Sequence, residues 1–247
     1  MDDLWLFFAV GFLAQLIDGT LGMAYGVTSN SFLLAAGLPP AIASSTVHAA
    51  ECCTTGVSAL CHRWRRNIDP VVFWKLMPAG VVAGVLGAYV LTSIDGNLLK
   101  PWITGYLMLM GLVILYRVFQ APVQRRVTTW LQPLGFVGAF LDALGGGGWG
   151  PVVTSTLVAR GNGVRYTIGS VNSAEFFVTV AMSITFILTL GLDHWPIIVA
   201  LGAGGVLAAP LGAWTCSRLP HRPLMAGVGV LVILTAGRTL FKWLGWI

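Results

Sequence analysis

The strongest constraint on how this chain folds is its series of long apolar segments separated by short loops. A helix needs about 20 apolar residues to cross a bilayer, whereas a transmembrane strand needs about half as many, with alternating polarity. Only 9% of the residues are charged and the mean hydropathy is +0.82, which is too apolar for a water-facing surface. We therefore expect an all-α integral membrane protein. Predicted spans cover residues 40–61, 71–92, 98–119, 164–190, 196–217 and 223–244.

The chain also repeats itself with an offset of 142 − 18 = 124 residues. Recurrent glycines alone are common in transmembrane helices, but they do not explain acidic residues that match as well. The repeat predicts two homologous units, 1–124 and 125–247, which together form one transmembrane domain. The matching pairs are Asp18 and Asp142, Gly22 and Gly146, Gly26 and Gly150, Gly37 and Gly161, and Glu51 and Glu175.

Each unit begins with an apolar segment that is interrupted at its centre. Residues 4–36 contain a glycine-rich stretch at 18–26, and residues 129–159 contain one at 142–150. Each glycine costs a helix about 1 kcal/mol relative to alanine, so we expect a break at both stretches. The flanking arms, of about 14 residues or fewer, reach only about 20 Å into a hydrocarbon core of about 30 Å. We therefore predict a re-entrant hairpin, with a single crossing as the open alternative.

The positive charges favour re-entrant hairpins. With three true crossings per unit the second unit is inverted, and 11 of the 14 Lys and Arg residues lie on one face. Single crossings would make the units parallel and divide the charges 9 against 5, which the positive-inside rule disfavours. The three basic residues on the other face are Lys100, Arg238 and Lys242. The eleven that share one face are Arg63, Arg65, Arg66, Lys75, Arg117, Arg125, Arg126, Arg160, Arg165, Arg218 and Arg222.

Inverted repeats with broken helices are typical of secondary transporters that bind substrate near the midplane. The second arm of each hairpin would present free N–H groups and a positive dipole end, which suit an anion. Polar side chains beside the breaks also have a plainer interpretation, since they can tie helices together. The predicted substrate-binding residues are Gly22, Tyr25, Gly26, Ser29, Asn30, Thr46, Gly146, Gly147, Gly148, Trp149, Asn172 and Ser173.

Ionisable residues inside the membrane are costly and usually functional. Glu51 and Glu175 fall near the middle of their spans, and His48 lies one helical turn before Glu51. We predict that these three residues couple proton movement to transport, although a buried polar pair can also lock helices together. Asp18 and Asp142 are predicted to cap the helices after the breaks, with direct contact to an ion as the alternative. His48 with one Glu is too small a set for a metal site, so neither a metal nor a cofactor is expected.

Several motifs in order resemble the sulfite exporter TauE/SafE family over essentially the whole chain. The resemblance implies transport of sulfur-containing anions, such as sulfite or sulfonates, across the inner (plasma) membrane of bacteria. Two features depart from the family pattern: Gly-Met-Ala-Tyr-Gly at 22–26 replaces the usual glycine run, and His48 and Glu51 are not expected throughout the family. The motifs are the turn at 37–40 (Gly-Leu-Pro-Pro), the helix start at 43–46 (Ala-Ser-Ser-Thr), the loop at 65–69 (Arg-Arg-Asn-Ile-Asp), Gly80, Gly84 and Gly87-Ala88, and the repeated glycines at 145–150.

The leading functional hypothesis is therefore a secondary anion transporter, not an enzyme. No nucleotide-binding loop motif occurs, and the basic residues lie in short inter-helix loops, so neither ATP-driven pumping nor nucleic-acid binding is expected. Its predicted partners are a small anion and the lipid bilayer, and the sequence leaves a homodimer open. The alternatives are a passive anion channel and an intramembrane thiol or redox module that uses Cys52, Cys53 and His48.

Overall fold

The computed structural model describes residues 4–119, 127–191, 194–215, 218 and 221–246, and the regular elements there are helical. Residues that favour helix ends occur at several boundaries. Prolines begin two helices, and glycines with positive φ follow the last residue of two others. The elements are α1 (Leu4–Leu21), α2 (Tyr25–Ala35), α3 (Pro40–Trp64), α4 (Pro70–Ser93), α5 (Gly96–Val118), α6 (Leu131–Gly145), a π-helical turn (Trp149–Thr154) that continues as α7 (Ser155–Ala159), α8 (Val164–Leu190), α9 (Trp195–Thr215) and α10 (His221–Trp243).

Six of the described helices are long and apolar enough to cross a membrane: α1, α4, α5, α8, α9 and residues 222–243 of α10. The predicted all-helical membrane architecture is thereby confirmed. Helix α3 spans 25 residues but is not among the six, because Ser, Thr, His and Glu side chains interrupt its apolar surface. These side chains are largely buried, so α3 lies inside the bundle with its polar residues away from lipid.

The first break lies later in the chain than expected. Helix α1 runs for 18 residues, about 27 Å, so the prediction of arms of 14 residues or fewer was wrong for this arm. Asp18 does not begin the break but lies in the last turn of α1, and the break consists of residues 22–24. Gly22 takes φ +69° and Gly146 takes φ +65°, a left-handed conformation that glycine adopts without steric cost.

Helices α1 and α9 pack side by side and run in the same direction. Gly11 lies against Leu201 and Gly19 lies against Gly212, so residue numbers rise together along both helices. A Cβ added at Gly19 would come within 2.8 Å of the Gly212 Cα atom, which shows how closely the backbones approach. Helices α4 and α6 make the corresponding parallel contact.

Helices α3 and α8 cross at the centre of the bundle in opposite directions. The rings of His48 and Phe186 lie 5.9 Å apart, and Asn172 donates a hydrogen bond of 3.2 Å to Ser58. Residue numbers therefore rise along α3 as they fall along α8. Between these contacts the hydroxyl oxygens of Thr55 and Thr179, 124 residues apart, lie 3.5 Å from each other.

Candidate functional site

The two helix breaks meet at the centre of the molecule. Gly26 lies so close to Gly146 that an added Cβ would overlap the Gly146 carbonyl oxygen. On the other side, Gly150 lies directly against the backbone of Met23. Only glycine allows this approach, so these glycines bring the two interrupted segments into contact.

Each break is held by an aspartate from the helix that precedes it. Asp18 Oδ1 accepts hydrogen bonds from the backbone N–H groups of Ala24 (2.9 Å) and Tyr25 (3.3 Å). Asp142 Oδ1 likewise accepts from residues 148 (3.0 Å) and 149 (3.1 Å), each 124 positions later. These four N–H groups are therefore occupied by the protein's own carboxylates. The expectation that they are free to bind an anion was wrong, because each carboxylate reaches forward across its break.

The aromatic residue after each break is fully buried. Trp149 packs against Gly80 and donates from Nε1 to the Val171 carbonyl oxygen at 3.1 Å. Tyr25 packs against Gly205, and its hydroxyl has no hydrogen-bond partner within the described ranges. The π-helical turn that begins at Trp149 has no counterpart at Tyr25 and was not foreseen from the sequence.

The second oxygen of each aspartate reaches a residue in the other half of the chain. Asp18 Oδ2 accepts a hydrogen bond of 3.2 Å from Asn172 Nδ2. Asp142 Oδ2 lies 3.3 Å from His48 Nε2. Because positions 48 and 172 also differ by 124, the two contacts are reciprocal, with histidine in one and asparagine in the other.

The imidazole of His48 is oriented by Ser44. His48 Nδ1 lies 2.8 Å from the Ser44 carbonyl oxygen, which can only accept, so Nδ1 carries a hydrogen. The Ser44 hydroxyl donates to the Ala143 carbonyl oxygen at 2.6 Å and lies 3.2 Å from Nδ1. Nε2 is thus aimed at Asp142, a juxtaposition that sequence analysis missed because the two residues are 94 positions apart.

Two glutamates complete the buried acidic group. Glu51 is 1% exposed and Glu175 is 5% exposed, and Glu51 Oε2 has no hydrogen-bond partner among the described residues. A ring nitrogen of His48, a Glu51 carboxylate oxygen and an Asp142 carboxylate oxygen all lie within 4.8 Å of one another. Within the described part of the chain no Lys or Arg side chain is buried, so His48 is the basic side chain that lies buried beside these four carboxyl groups.

The structure places most of the other predicted binding residues around the meeting point of the breaks. Asn30 Nδ2 donates to the Gly145 carbonyl oxygen at 2.6 Å and so joins the two breaks. Ser29 is buried with no partner for its hydroxyl among the described residues, which leaves it available to a ligand. Ser173 donates to the Gly169 carbonyl of its own helix at 2.6 Å. The remaining predicted residues, Gly22, Thr46 and Gly147, are buried as well.

Two clefts lie at opposite ends of α3 and α8. One, of only about 10 Å³, is lined by Thr46, Ser183 and His194, near the start of α3 and the end of α8. The other, of about 390 Å³, is lined by Asp69 and Tyr166, near the end of α3 and the start of α8. Both clefts contain polar side chains at the mouths of the central helix pair.

Comparison with known proteins gives the family. The sequence model of the family described as "Sulfite exporter TauE/SafE" matches residues 7–239. The chain is 40% identical to the "Probable membrane transporter protein YtnM" of Bacillus subtilis, over 99% of this chain and 85% of the relative. It is 26% identical to a "Probable membrane transporter protein" of Haemophilus influenzae, over 86% of this chain and 85% of that protein. No solved structure matches the chain significantly. With the family match across nearly its full length and six membrane-compatible helices, the chain belongs to the TauE/SafE sulfite exporter family and is a multi-pass membrane transporter.

Proposed function

We propose that this protein is a secondary transporter for a small sulfur-containing anion, such as sulfite or a sulfonate, with proton movement coupled to the anion. The observation that carries the proposal is the contact between the two helix breaks, where buried carboxyl groups from both halves converge. Broken backbone at the centre of a membrane protein is tolerated where it lines a cavity or is buried in protein, and transporters bind substrate at such positions. The family name supports a sulfur oxyanion as the substrate.

We further propose that residues 1–124 and 125–247 are two units of inverted orientation. The antiparallel crossing of α3 and α8 supports this, because the two helices occupy matching positions in the units. If both cross the bilayer, opposite directions require a two-fold axis in the membrane plane. The contact between Thr55 and Thr179 lies where such an axis would pass.

The helix directions also support re-entrant hairpins. Helix α9 runs parallel to α1, and it runs parallel to α3 as well, since Gly202 lies against Ala50 and Gly205 against Thr54. Helices α1 and α3 therefore share one direction, so α2 has to return the chain to the starting face. Helix α2 has 11 residues, about 16 Å, which is about half the thickness of the hydrocarbon core.

The positions of five basic residues support this topology. Arg165 donates to the Arg65 carbonyl oxygen, which places both at the end of the bundle where α3 stops and α8 starts. Lys100, Arg238 and Lys242 instead line a cavity of about 220 Å³ with the end of α2, at the opposite end. Arg125 and Arg126, counted with the larger group, lie outside the described residues. Epitope tags at both termini should be accessible from outside intact cells; protection of both tags would contradict the inverted arrangement.

Charge explains why a cation should accompany the anion. Two unit charges 4 Å apart interact with about 4 kcal/mol at an effective dielectric constant of 20. A sulfite bound beside four ionised carboxyl groups would thus be repelled strongly. We propose that a proton on Glu175 removes part of this repulsion. His48 and Glu51, the other predicted couplers, would hold a further positive charge beside the anion.

Transport in proteoliposomes tests the coupling. Sulfite uptake by the wild-type protein should respond to an imposed pH gradient, and Glu175→Gln should abolish or flatten that response while the protein remains folded. The control is Asp95→Asn, because Asp95 is exposed and caps α5 far from the carboxyl cluster. Wild-type flux that ignores the gradient would favour a passive channel. An unchanged pH response in Glu175→Gln would refute the role of Glu175.

The substrate is tested separately by binding. Thermal shifts of the purified protein should rise with sulfite, thiosulfate or a sulfonate, and less with simple carboxylates. A larger shift with carboxylates than with every sulfur oxyanion would contradict the proposed substrate class. The cleft of about 390 Å³ at the end of α3 and the start of α8 is the proposed route by which the anion approaches the breaks from that side.

A further inference from the structure

We propose that His48, Glu51 and Asp142 form a binding site for a divalent transition-metal ion, with Zn²⁺ as the representative. This inference goes beyond the proposed transport function and does not depend on it. Two of the ligands lie one turn apart on α3, and the third comes from the end of α6 across the bundle. Their donor atoms lie within 4.8 Å of one another, and all three side chains are buried.

The contact between His48 and Asp142 requires a positive centre. Since the Ser44 carbonyl oxygen takes the hydrogen on Nδ1, a neutral imidazole presents a lone pair at Nε2. That lone pair faces a carboxylate oxygen at 3.3 Å, so two acceptors oppose each other in a buried site. Two opposed acceptors are unfavourable unless a proton or a metal ion lies between them.

Glu51 distinguishes the metal ion from the proton. A proton shared by Nε2 and Asp142 Oδ2 would satisfy those two atoms and leave Glu51 Oε2 without a partner among the residues that the structure describes. A buried acceptor without a partner costs about 1–3 kcal/mol, and more when it is charged. One metal ion among the three side chains accepts a lone pair from each of them. The unpartnered glutamate oxygen therefore favours a metal.

The ligands are held from behind, as metal ligands usually are. A metal-bound histidine typically donates its other N–H to a carbonyl or carboxylate, which orients the ring. His48 does this with Ser44. Asp142 is oriented in the same way, because its other oxygen accepts the N–H groups of Gly148 and Trp149. Both side chains are thus aimed at the site before any ion binds.

The matching position in the other half needs no metal. There Asn172 donates directly to Asp18 Oδ2, so donor meets acceptor and the contact is already satisfied. Asn172 also lacks an imidazole nitrogen, and its amide is a poor ligand for Zn²⁺. We therefore expect one metal ion per chain, and the asparagine half of the molecule supplies the control.

The donor set indicates which metals fit. One imidazole with two carboxylates suits Zn²⁺, Co²⁺, Ni²⁺ or Mn²⁺, and is a poor match for Na⁺ or Mg²⁺. The double positive charge offsets the two carboxylates. Three protein ligands leave at least one coordination position open, and a small oxyanion has the chemistry to fill it.

Metal binding by the purified full-length protein tests the proposal without any transport measurement. After EDTA treatment and dialysis, titration calorimetry with ZnCl₂ and elemental analysis should give one equivalent. Glu51→Gln and His48→Asn should weaken zinc binding by about 100-fold or more, Glu175→Gln should weaken it much less, and the control Asp95→Asn, at an exposed cap of α5, should bind as the wild type does. His48→Asn installs the residue found at the matching position, and thermal melting shows whether the variants fold. Absorption of bound Co²⁺ in the visible range gives a second readout of the coordination.

Three results would overturn the assignment. The first is a wild-type protein that retains no zinc. The second is zinc binding that survives both His48→Asn and Glu51→Gln. The third is an equal loss in Glu51→Gln and Glu175→Gln, which would indicate general electrostatic attraction. Failure of sulfite transport with intact zinc binding would refute the proposed function alone.

Discussion

Asp142→Asn and Asp18→Asn should affect metal-free stability unequally, although the two aspartates occupy matching positions. Each aspartate accepts two backbone N–H bonds through Oδ1, and an asparagine oxygen can keep them with a similar weakening in both variants. This shared effect cancels in a comparison of the two variants. The difference therefore comes from the second oxygen of each carboxylate.

The Oδ2 atoms of the two aspartates face different partners: a lone pair of His48 at Asp142, and an N–H donor of Asn172 at Asp18. At Asp142 the new amide donates to the lone pair of His48 Nε2, so an acceptor pair becomes a hydrogen bond worth about 0.5–1.5 kcal/mol. At Asp18 the existing bond from Asn172 loses its charged acceptor, and one of the two amides has to rotate to avoid opposing N–H groups, which costs about 1 kcal/mol. We therefore expect Asp142→Asn to be more stable than Asp18→Asn by about 1–3 kcal/mol.

The assay is unfolding of the detergent-solubilised variants at pH 8 in EDTA, followed by circular dichroism. The control repeats the Asp142→Asn substitution in the His48→Asn variant. There the stability gained by the bond from the new amide to His48 should vanish, because the imidazole is absent. Equal stability of the two single variants, or lower stability of Asp142→Asn, would refute the assignment of His48 Nε2 as an acceptor. Zinc should stabilise the wild type and leave Asp142→Asn unchanged, because ligand binding stabilises only a protein that binds it.

Three further predictions concern other parts of the centre. Gly26→Ala should destabilise the protein by about 1–3 kcal/mol or more in thermal melts, because the added Cβ overlaps the opposite break. The control Gly105→Ala, with open space around its Cβ, should be neutral or slightly stabilising. Equal effects of the two substitutions would contradict the close approach of the breaks. Asn172→His should create a second zinc site, seen as two equivalents in calorimetry; a single equivalent would show that the imidazole does not decide metal binding. Cys52→Ala and Cys53→Ala should retain full sulfite flux, since the Cys52 thiol donates to Ser183 and Cys53 is exposed. Loss of flux in either variant would support the alternative of an intramembrane thiol or redox module.

Local sequence properties determined where the helices lie. The predicted span 71–92 became Pro70–Ser93, and 164–190 became Val164–Leu190, because the length of an apolar run and the residues that end it are local. Glycine runs likewise predicted that both first segments break, since the cost of glycine in a helix does not depend on distant contacts. The family resemblance rested on the same local motifs, and the comparison confirmed it.

Tertiary packing decided how the residues at the breaks are used. The sequence analysis placed Asp18 at the start of its break and predicted that it caps the next helix, but it also expected free N–H groups there for an anion. In the structure Asp18 belongs to α1 and occupies those N–H groups.

The sequence by itself therefore determined the class of the protein, the positions of its helices and the two interruptions. Only the tertiary structure brought Asp142 to His48, 94 residues away, and so turned a histidine with one glutamate into a set of three ligands. The physical reason is that partner choice depends on which helices pack together. Helices α1 with α9 and α4 with α6 meet through glycine contacts between distant segments, and those contacts carry the breaks and their aspartates into the centre.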